Sequence, residues 1–423
     1  MIRKLIPSFF IKMSFHEKIF CFLALACSFL INLEASITKA VSNSLFIHAY
    51  GYEYLPYAWL ALVPLNLWVV NLYNRFIPRI GLFKMLLCTT GVTGLTVFCA
   101  AFFIYSFSWL PFCLYIWKDL YILLMFQQLW SMLAATIRSE QAKYLYGLFW
   151  GIGGLGAVTG SCFPGFLATL IGTEKLLLVT IPFYAILLVC YWFALKVRDQ
   201  DLTRQPIVFD REKPSSFYQG AKLIARSRVL MFIFLIVVFM QLTSTLLDFQ
   251  FNQVLSLEMV SKDLRTQYLG RFFGIVNLSN VILQFLGSYF ALNFVGVKKT
   301  HLMIPSYLGL LLTSYLFFPT FPLLALSYGS IKALDYSLFG VVKEMLYIPL
   351  KTEEKFQARA VIDVFVYRTA KALASCCIIA IGFLGFGHSL KVITQVLVMI
   401  FSAWSLTVLF LLKEEPQKVP AAT

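Results

Sequence analysis

The sequence has little charge for its length. Acidic and basic residues make up 13% of the 423 positions, whereas 60% are hydrophobic and the mean hydropathy is +0.80. Soluble domains carry about a quarter charged residues and less than half apolar ones. The composition therefore excludes a soluble globular protein and indicates a membrane protein.

The sequence also lacks the patterns of several other classes. Strand-like alternation over ~10 positions, which is typical of a membrane β-barrel, is absent. The nine cysteines form no CxxC pair and the four histidines are scattered, so we expect neither a disulfide framework nor a metal site. There is no Ser/His/Asp set and no DxxD-like phosphate site, so we expect no enzyme and no cofactor.

Long apolar runs fill most of the chain instead. About 20 residues cross a ~30 Å hydrocarbon core, and in lipid such a run must be helical to satisfy its own backbone. The runs of this length are 19–46, 54–74, 82–106, 109–137, 145–171, 174–196, 229–256, 268–293, 301–319, 322–348, 359–385 and 391–412. The predicted fold class is an all-α membrane protein with twelve transmembrane helices.

The excess of basic residues is distributed unevenly between the two sides of the predicted spans. The net charge is +15, and with a cytoplasmic N-terminus 24 Lys and Arg fall on cytoplasmic segments and four on the opposite side. This split is what the positive-inside rule predicts for an even number of spans with both termini inside. The excess therefore sets orientation, and we expect no nucleic-acid partner.

The longest polar stretch, residues 197–228, divides the spans six and six. Transporters built from two related halves have this layout. We expect one half at 1–196, a linker at 197–228, a second half at 229–412 and a tail at 413–423. A shift of 214 positions aligns the following charges: Glu34 with Asp248, Lys118 with Lys332, Glu140 with Glu354, and Lys84 with Lys298.

Many charges lie inside the predicted spans, where each costs at least ~2.5–3.5 kcal/mol. They are Glu34, Lys39, Lys118, Asp119, Asp248, Arg271, Lys332, Asp335, Lys343, Glu344, Asp363, Arg368 and Lys371. We expect them to line a water-filled path. Helical spacing puts Lys332, Asp335 and Lys343 on one face.

Two interpretations of these charges are open. Arg368 and Lys371 are three positions apart and repel each other unless an anion joins them, so a bound anionic substrate is one answer. The other is an internal set of ion pairs, in which Asp363 and Asp335 neutralise Lys371 and Lys332.

The run GIGGLGAVTG at 151–160 is similar to a nucleotide-binding fingerprint. No strand precedes it and it lies in an apolar span, so it favours close helix packing through small residues.

The segment DYSLFGVVKEMLYIPLKTEEKFQARAVIDVFVYRTAKALAS at 335–375 resembles the conserved region of the ATP/ADP translocases, the nucleotide transporters of plastids and obligate intracellular bacteria. That family has a pattern close to KYSLFDPxKEMAYIPL, then a charged loop, an AIDV block and a later Lys. The matching residues are Ser337, Leu338, Phe339, Lys343, Glu344, Met345, Tyr347, Ile348, Pro349, Leu350, Ile362, Asp363, Val364 and Lys371. The run QQLWSMLAATI at 127–137 resembles the family's ELWGS segment, with Gln128 in place of Glu. Asp335 replaces a family Lys.

The resemblance implies a major-facilitator-like fold in two pseudo-symmetric halves and transport of a nucleotide-like anion, often ATP in exchange for ADP and phosphate. We expect a monomer in the lipid bilayer of a bacterial inner membrane, with both termini cytoplasmic. Lys39, Arg368 and Lys371 are candidates for binding negative charge, and Gln128 for binding a neutral group. The candidates for gating or coupling are Glu34, Lys118, Asp248, Lys332, Asp335, Lys343, Glu344 and Asp363.

Two alternatives remain. A proton-coupled symporter of another small polar solute would use Glu34, Asp248 or Asp335 as its proton carrier. A polytopic membrane enzyme or scaffold would not transport at all.

Overall fold

The protein is helical throughout the part of the chain that the structure describes. The computed structural model describes residues 13–137, 139–199, 217–287, 289, 291–347, 361–362, 366–386 and 389–413. The α-helices are α1 Phe15–Tyr50, α2 Leu55–Ile80, α3 Leu82–Phe103, α4 Leu110–Ala134, α5 Ser139–Ile171, α6 Ile181–Asp199, α7 Phe217–Arg226, α8 Arg228–Glu258, α9 Lys262–Ile282, α10 Val297–Phe317, α11 Phe321–Leu334, α12 Gly340–Leu346, α13 Tyr367–Ile381 and α14 Leu390–Lys413. These residues contain no strand, which confirms the all-α prediction.

Shorter helical turns connect or extend these helices. The 3-10 turns are Tyr52–Tyr54 and Lys175–Thr180, and the π-helical turns are Leu283–Gly287, Ala291–Val295, Asp335–Phe339 and Gly382–Phe386. A π turn holds one residue more than an α turn. Side chains beyond it are therefore rotated relative to those of an uninterrupted α-helix.

Ten helical segments are long and apolar enough to cross a membrane. They are Phe15–Tyr50, Tyr52–Ile80, Leu82–Phe103, Leu110–Ala134, Leu145–Ile171, Lys175–Arg198, Arg228–Glu258, Lys262–Gly287, Tyr367–Leu384 and Leu390–Phe410. The predicted spans 301–319 and 322–348 correspond to α10 and to α11–α12, which are not among the ten. The multi-pass helical architecture is confirmed, and the count of twelve stays a prediction.

Local sequence explains where the helices begin and end. At the start of α1, Ser14 Oγ accepts a hydrogen bond from the Glu17 backbone N–H at 3.1 Å, and the Glu17 carboxylate accepts one from Ser14 N–H at 2.9 Å. This capping box satisfies two backbone donors. α1 and α2 end at Gly51 and Gly81, whose φ angles of 88° and 82° suit glycine.

The helices form two compact units. Unit 1 comprises Met1–Tyr54, Ala61–Arg211 and Ser256–Val281, and unit 2 comprises Leu55–Leu60, Glu212–Leu255 and Ile282–Thr423. The division into two six-helix halves at 1–196 and 229–412 stays a prediction.

Unit 1 is organised around α1, which packs against α4, α5 and α6. α3 packs against α4 and α6. The buried core of this unit consists of Leu33, Ile37, Val41, Leu45, Val97, Ala100, Ile104, Leu110, Leu114, Ala168, Leu176 and Leu177. The middle of α1 is therefore surrounded by apolar side chains.

The glycines of α5 allow its close approach to α1. A Cβ at Gly156 would clash with the carbonyl oxygen of Phe29, and one at Gly160 with the carbonyl oxygen of Leu33. Only a residue without a Cβ fits at these two positions. The glycine run is a helix-packing surface, in agreement with the sequence-based interpretation.

Unit 2 is organised around α10, which packs against α11, α12 and α14. Trp404 of α14 is fully buried. The centroid of its ring lies 6.4 Å from that of Phe239 on α8 and 5.9 Å from that of Phe339 in the π turn after α11. These aromatic contacts tie α8 and the α11–α12 segment to α14.

Candidate substrate-binding and coupling site

Glu34 lies at the centre of a hydroxyl cluster in unit 1. Its side chain is only 2% exposed, and its Oε1 atom accepts hydrogen bonds from Thr38 at 2.6 Å, Tyr121 at 2.5 Å and Tyr184 at 2.6 Å. These donors come from α1, α4 and α6. Oε2 is buried and receives no hydrogen bond from any residue that the structure describes. The cluster joins three helices through one oxygen of a carboxyl group.

The two other charged candidates of unit 1 contact aromatic rings. Lys118 is buried, and its Nζ atom lies 3.6 Å from Asp119 Oδ1 and 3.7 Å from the centroid of the Tyr115 ring. The Nζ atom of Lys39 lies 4.5 Å from the centroid of Phe273 on α9. A cation over an aromatic face is stabilised by the ring quadrupole without being neutralised. Lys118 also has a carboxylate partner.

Gln128 lies in the packed interior of unit 1. Its side chain is fully buried, and its Nε2 donates a hydrogen bond to Thr89 Oγ1 on α3 at 3.1 Å. The hydroxyl of Tyr191 on α6 donates to the Gln128 backbone carbonyl at 3.1 Å. These contacts give α4 polar bonds to both neighbours, as expected for a helix-packing residue.

Unit 2 contains an ion pair between α8 and α11. Lys332 Nζ lies 3.7 Å from Asp248 Oδ2 and donates a hydrogen bond to Ser244 Oγ at 2.9 Å. Asp248 Oδ1 accepts hydrogen bonds from the Tyr328 hydroxyl at 2.9 Å and from Asn252 Nδ2 at 2.8 Å. The two charges therefore compensate each other inside a polar set.

Neutralisation of Lys332 by Asp335 was part of one of the two interpretations that the sequence left open. Asp335 interacts electrostatically with Lys332, and its Oδ2 atom accepts a hydrogen bond from Gln241 Nε2 at 3.2 Å. Lys332 has its ion pair with Asp248, which lies on α8. The spacing of residues along one helix reveals only neighbours on that helix, whereas Asp248, the ion-pair partner of Lys332, lies on another helix.

Lys343 and Glu344 lie beyond the π turn at Asp335–Phe339. The Nζ atom of Lys343 is 3.9 Å from Glu344 Oε1 and 5.4 Å from the centroid of the Tyr367 ring on α13. The shared face of Lys332, Asp335 and Lys343 assumed continuous α-helical spacing. With the π turn in place, Lys332 and Asp335 contact α8, Lys343 approaches α13, and Asp335 still interacts electrostatically with both lysines.

Lys371 and Arg368 lie on α13, and both side chains are partly buried. The Nζ atom of Lys371 is 5.2 Å from the centroid of the Trp59 ring, which is 1% exposed. The aromatic face orients this ammonium group within unit 2. Asp363 lies outside the described residues.

Sequence reasoning missed the partners of these charges, although the shift of 214 positions contains a signal for some of them. It aligns Trp59 with Phe273, and each ring lies under a lysine. The same shift aligns Thr38 with Asn252. Each of these two donates a hydrogen bond to the carboxylate four residues earlier. The repeat therefore extends from the charges to their partners.

A polar corner at the start of α9 was also missed. Lys262 forms an ion pair with Glu174, which also accepts a hydrogen bond from Tyr105. The backbone N–H of Thr173 donates to Asp263 Oδ1 at 2.8 Å, and so does its hydroxyl at 2.5 Å. These bonds join the turn between α5 and α6 to the beginning of α9.

Comparison with known proteins supports the resemblance to a family. Residues 323–414 match the model of the TLC ATP/ADP transporter family. The ADP,ATP carrier protein 1 of Chlamydia pneumoniae is 25% identical over 306 residues, which cover 61% of this chain. These two matches support a divergent member of the ATP/ADP translocase family. It spans 57% of the length of that curated relative.

Solved structures show the fold of this chain. A POT family transporter in complex with a thioalcohol conjugated peptide superposes with a TM-score of 0.62 and 10% identity, over 92% of this chain and 95% of that one. The nucleoside transporter NupG gives a TM-score of 0.58 and 13% identity, over 95% and 100% of the two chains. At these identities the likeness shows the major-facilitator type of fold alone.

Proposed function

We propose that the protein is a multi-pass secondary transporter that moves a small anionic metabolite of the nucleotide type by alternating access. The observation that carries this proposal is the family match at residues 323–414, which falls on the segment richest in intramembrane cations. Those cations are Lys332, Lys343, Arg368 and Lys371. Charged side chains at bilayer depth mark substrate and ion pathways. We therefore propose exchange of ATP-type and ADP-type nucleotides across a bacterial inner membrane.

The four cations have different neighbours. Lys332 has Asp248 as an ion-pair partner, and Lys343 has Glu344 nearby. The Nζ atom of Lys371 lies 5.2 Å from the centroid of the Trp59 ring, whose face attracts a cation. Arg368 lies one helical turn from Lys371, and a guanidinium group matches phosphate oxygens in a bidentate geometry. We propose that these two residues bind the phosphate groups of the substrate.

Lys39 and Gln128 differ in how accessible their side chains are to a substrate. Lys39 is partly buried and its ammonium is oriented by Phe273, as Lys371 is by Trp59, so we propose it as a further phosphate contact. Gln128 is fully buried in helix packing. It contacts substrate only if its amide becomes accessible during the transport cycle.

The remaining candidates suit gating or coupling. Paired charges can exchange partners as helices move, which is a common device in conformational switches. We propose this role for Lys118, Asp248, Lys332, Asp335, Lys343, Glu344 and Asp363, and a separate role for Glu34. Both termini lie in the cytoplasm, and the monomer is the transporting unit in this proposal.

Uptake of a labelled panel tests the proposal. Vesicles containing the protein are offered labelled nucleotides, amino acids and sugar phosphates. We expect nucleotides to enter faster than in vesicles without the protein, and Lys371→Ala to abolish that entry. Lys196→Ala, which removes an exposed cation near the end of α6, is the matched control and should transport normally. Uptake of another solute class without nucleotide uptake would overturn the assignment.

A further inference from the structure

We propose that Glu34 is a proton-binding site, at which one proton is taken up and released in each transport cycle. The role in transport rests on the function proposed above, whereas proton binding itself does not. Glu34 belongs to unit 1 and sits in the middle of α1, between Leu33 and Ile37 of the apolar core. The proton would bind at Oε2.

The first argument is the asymmetry of the carboxyl group. Oε1 accepts three hydroxyl hydrogen bonds of 2.5–2.6 Å, a length typical of bonds to a charged oxygen. Oε2 is equally buried and receives none from the described residues. A buried acceptor without a partner is costly. Protonation at Oε2 removes the negative charge, which burial disfavours.

The second argument is a comparison with other acidic groups. Asp248, Asp119, Glu344 and Glu174 each lie within 4 Å of a lysine ammonium group, and Asp335 accepts a hydrogen bond from the Gln241 amide. Glu34 forms no ion pair with any basic side chain in the part of the chain that the structure describes. A buried carboxylate without a cation is disfavoured by desolvation. Hydroxyl donors favour the ionised form and burial favours the neutral form, so both states are within reach.

Groups on the neighbouring helices define what can affect this titration. α4 contributes Tyr121 and, one turn away, the Lys118–Asp119 pair. α6 contributes Tyr184. α5 faces α1 at this level with Gly160. On α1 itself, Lys39 follows five residues later, and its ammonium lies over the Phe273 ring, whereas Lys118 and Asp119 are paired with each other.

The step is a simple protonation. The ionised carboxylate takes a proton from water that reaches it on one side of the membrane, and an O–H bond forms at Oε2. The same bond breaks when the site faces the other side, and the proton returns to water. No electrons are transferred and no co-reactant is needed. Coupling follows if only the neutral form allows α1 to move within its apolar surroundings.

Infrared difference spectroscopy on the purified full-length protein tests proton binding without any substrate. We expect a carboxylic-acid C=O band that changes with pH and is absent from Glu34→Gln. Asp248→Asn, which alters a carboxylate already paired with Lys332, should keep the band. Tyr184→Phe removes a donor to the ionised form, so the band should persist to higher pH. A spectrum unchanged by Glu34→Gln, or a Glu34 band that does not titrate, would overturn the proposal.

Transport in proteoliposomes tests coupling. With the membrane potential held at zero by potassium and valinomycin, one proton moving with each ATP allows about tenfold accumulation per unit of pH gradient. We expect this response in the wild type and none in Glu34→Gln. A titrating band without nucleotide transport would leave proton binding intact and reject the proposed function. A wild-type response that survives in Glu34→Gln would reject the coupling role.

Discussion

Individual charges inside this membrane protein are held by specific partners. Lys332 and Asp248 form an ion pair, and their side chains are 13% and 23% exposed. Removing one member of a buried pair leaves the other uncompensated, which costs ~3–5 kcal/mol when both are fully buried. The partial exposure of Asp248 reduces this cost, so the pair should contribute less than that range.

A double-mutant cycle at this pair makes the first prediction. Lys332→Met should lower the free energy of unfolding in detergent by about 2 kcal/mol, because Asp248 keeps its charge and loses its cation. Adding Asp248→Asn should restore part of the loss. Lys196→Met removes an exposed cation and should have little effect. Equal and additive losses for the two substitutions would contradict the pairing.

The second prediction concerns Trp59, which orients Lys371. Trp59→Leu should raise the KM for nucleotide about two- to fivefold, since a cation–π contact contributes ~0.5–1 kcal/mol. Trp404→Leu is the control, because Trp404 is equally buried. It should lower thermal stability without changing KM. A KM that responds equally to both substitutions would assign Trp59 a purely structural role.

The sequence predicts which charges lie at bilayer depth, because apolar runs of sufficient length locate the spans. It does not predict their partners. Glu34 meets Tyr121 and Tyr184, which come from two other helices, and no spacing along α1 reveals them. Spacing places Asp335 near Lys332, but it does not reveal Gln241 of α8, which donates a hydrogen bond to Asp335. Contacts between helices depend on packing that single-helix periodicity does not contain.

At the scale of helices, small residues set how closely α5 approaches α1. The third prediction compares two glycines of α5. Gly160→Ala places a Cβ against the Leu33 carbonyl and should destabilise the protein by ~1–3 kcal/mol in thermal unfolding. Gly147→Ala meets nothing within 4 Å and should be neutral or stabilising by up to ~1 kcal/mol. Similar losses at both positions would contradict the close packing.

The polar corner between the α5–α6 turn and α9 gives the fourth prediction. The proposed alternating access would require helix ends on each side of the membrane to separate in turn, and Thr173 and Asp263 join two helix ends by hydrogen bonds. A disulfide between Thr173→Cys and Asp263→Cys should block transport, and a reductant should restore it. The two single substitutions are the controls. Full transport by crosslinked protein would show that this corner does not open.

Sequence periodicity recovers the helices but misses their interruptions. The run that includes Lys332 and Lys343 reads as one α-helix, whereas the structure has a π turn at Asp335–Phe339. Its extra residue changes the register of the side chains that follow it. The physical reason is that a π turn depends on packing around it, which the apolar pattern does not encode.

At the scale of the whole molecule, composition and span length suffice for the class. A chain with 60% hydrophobic residues has ten described helices able to cross a membrane, and solved transporters share its fold. The resemblance to the ATP/ADP translocases was recognisable from residues 335–375, and the region that matches the family model extends over 323–414. The number of spans and the substrate depend on details beyond composition.

Nucleotide counterflow with purified protein tests the central claim most directly. Proteoliposomes are loaded with unlabelled ADP and diluted into a trace of labelled ATP. We predict transient accumulation of label above the external concentration, reduced at least tenfold in Lys371→Ala and retained in Lys196→Ala. Label that enters no faster than in protein-free liposomes, or that accumulates equally in Lys371→Ala, would contradict the account.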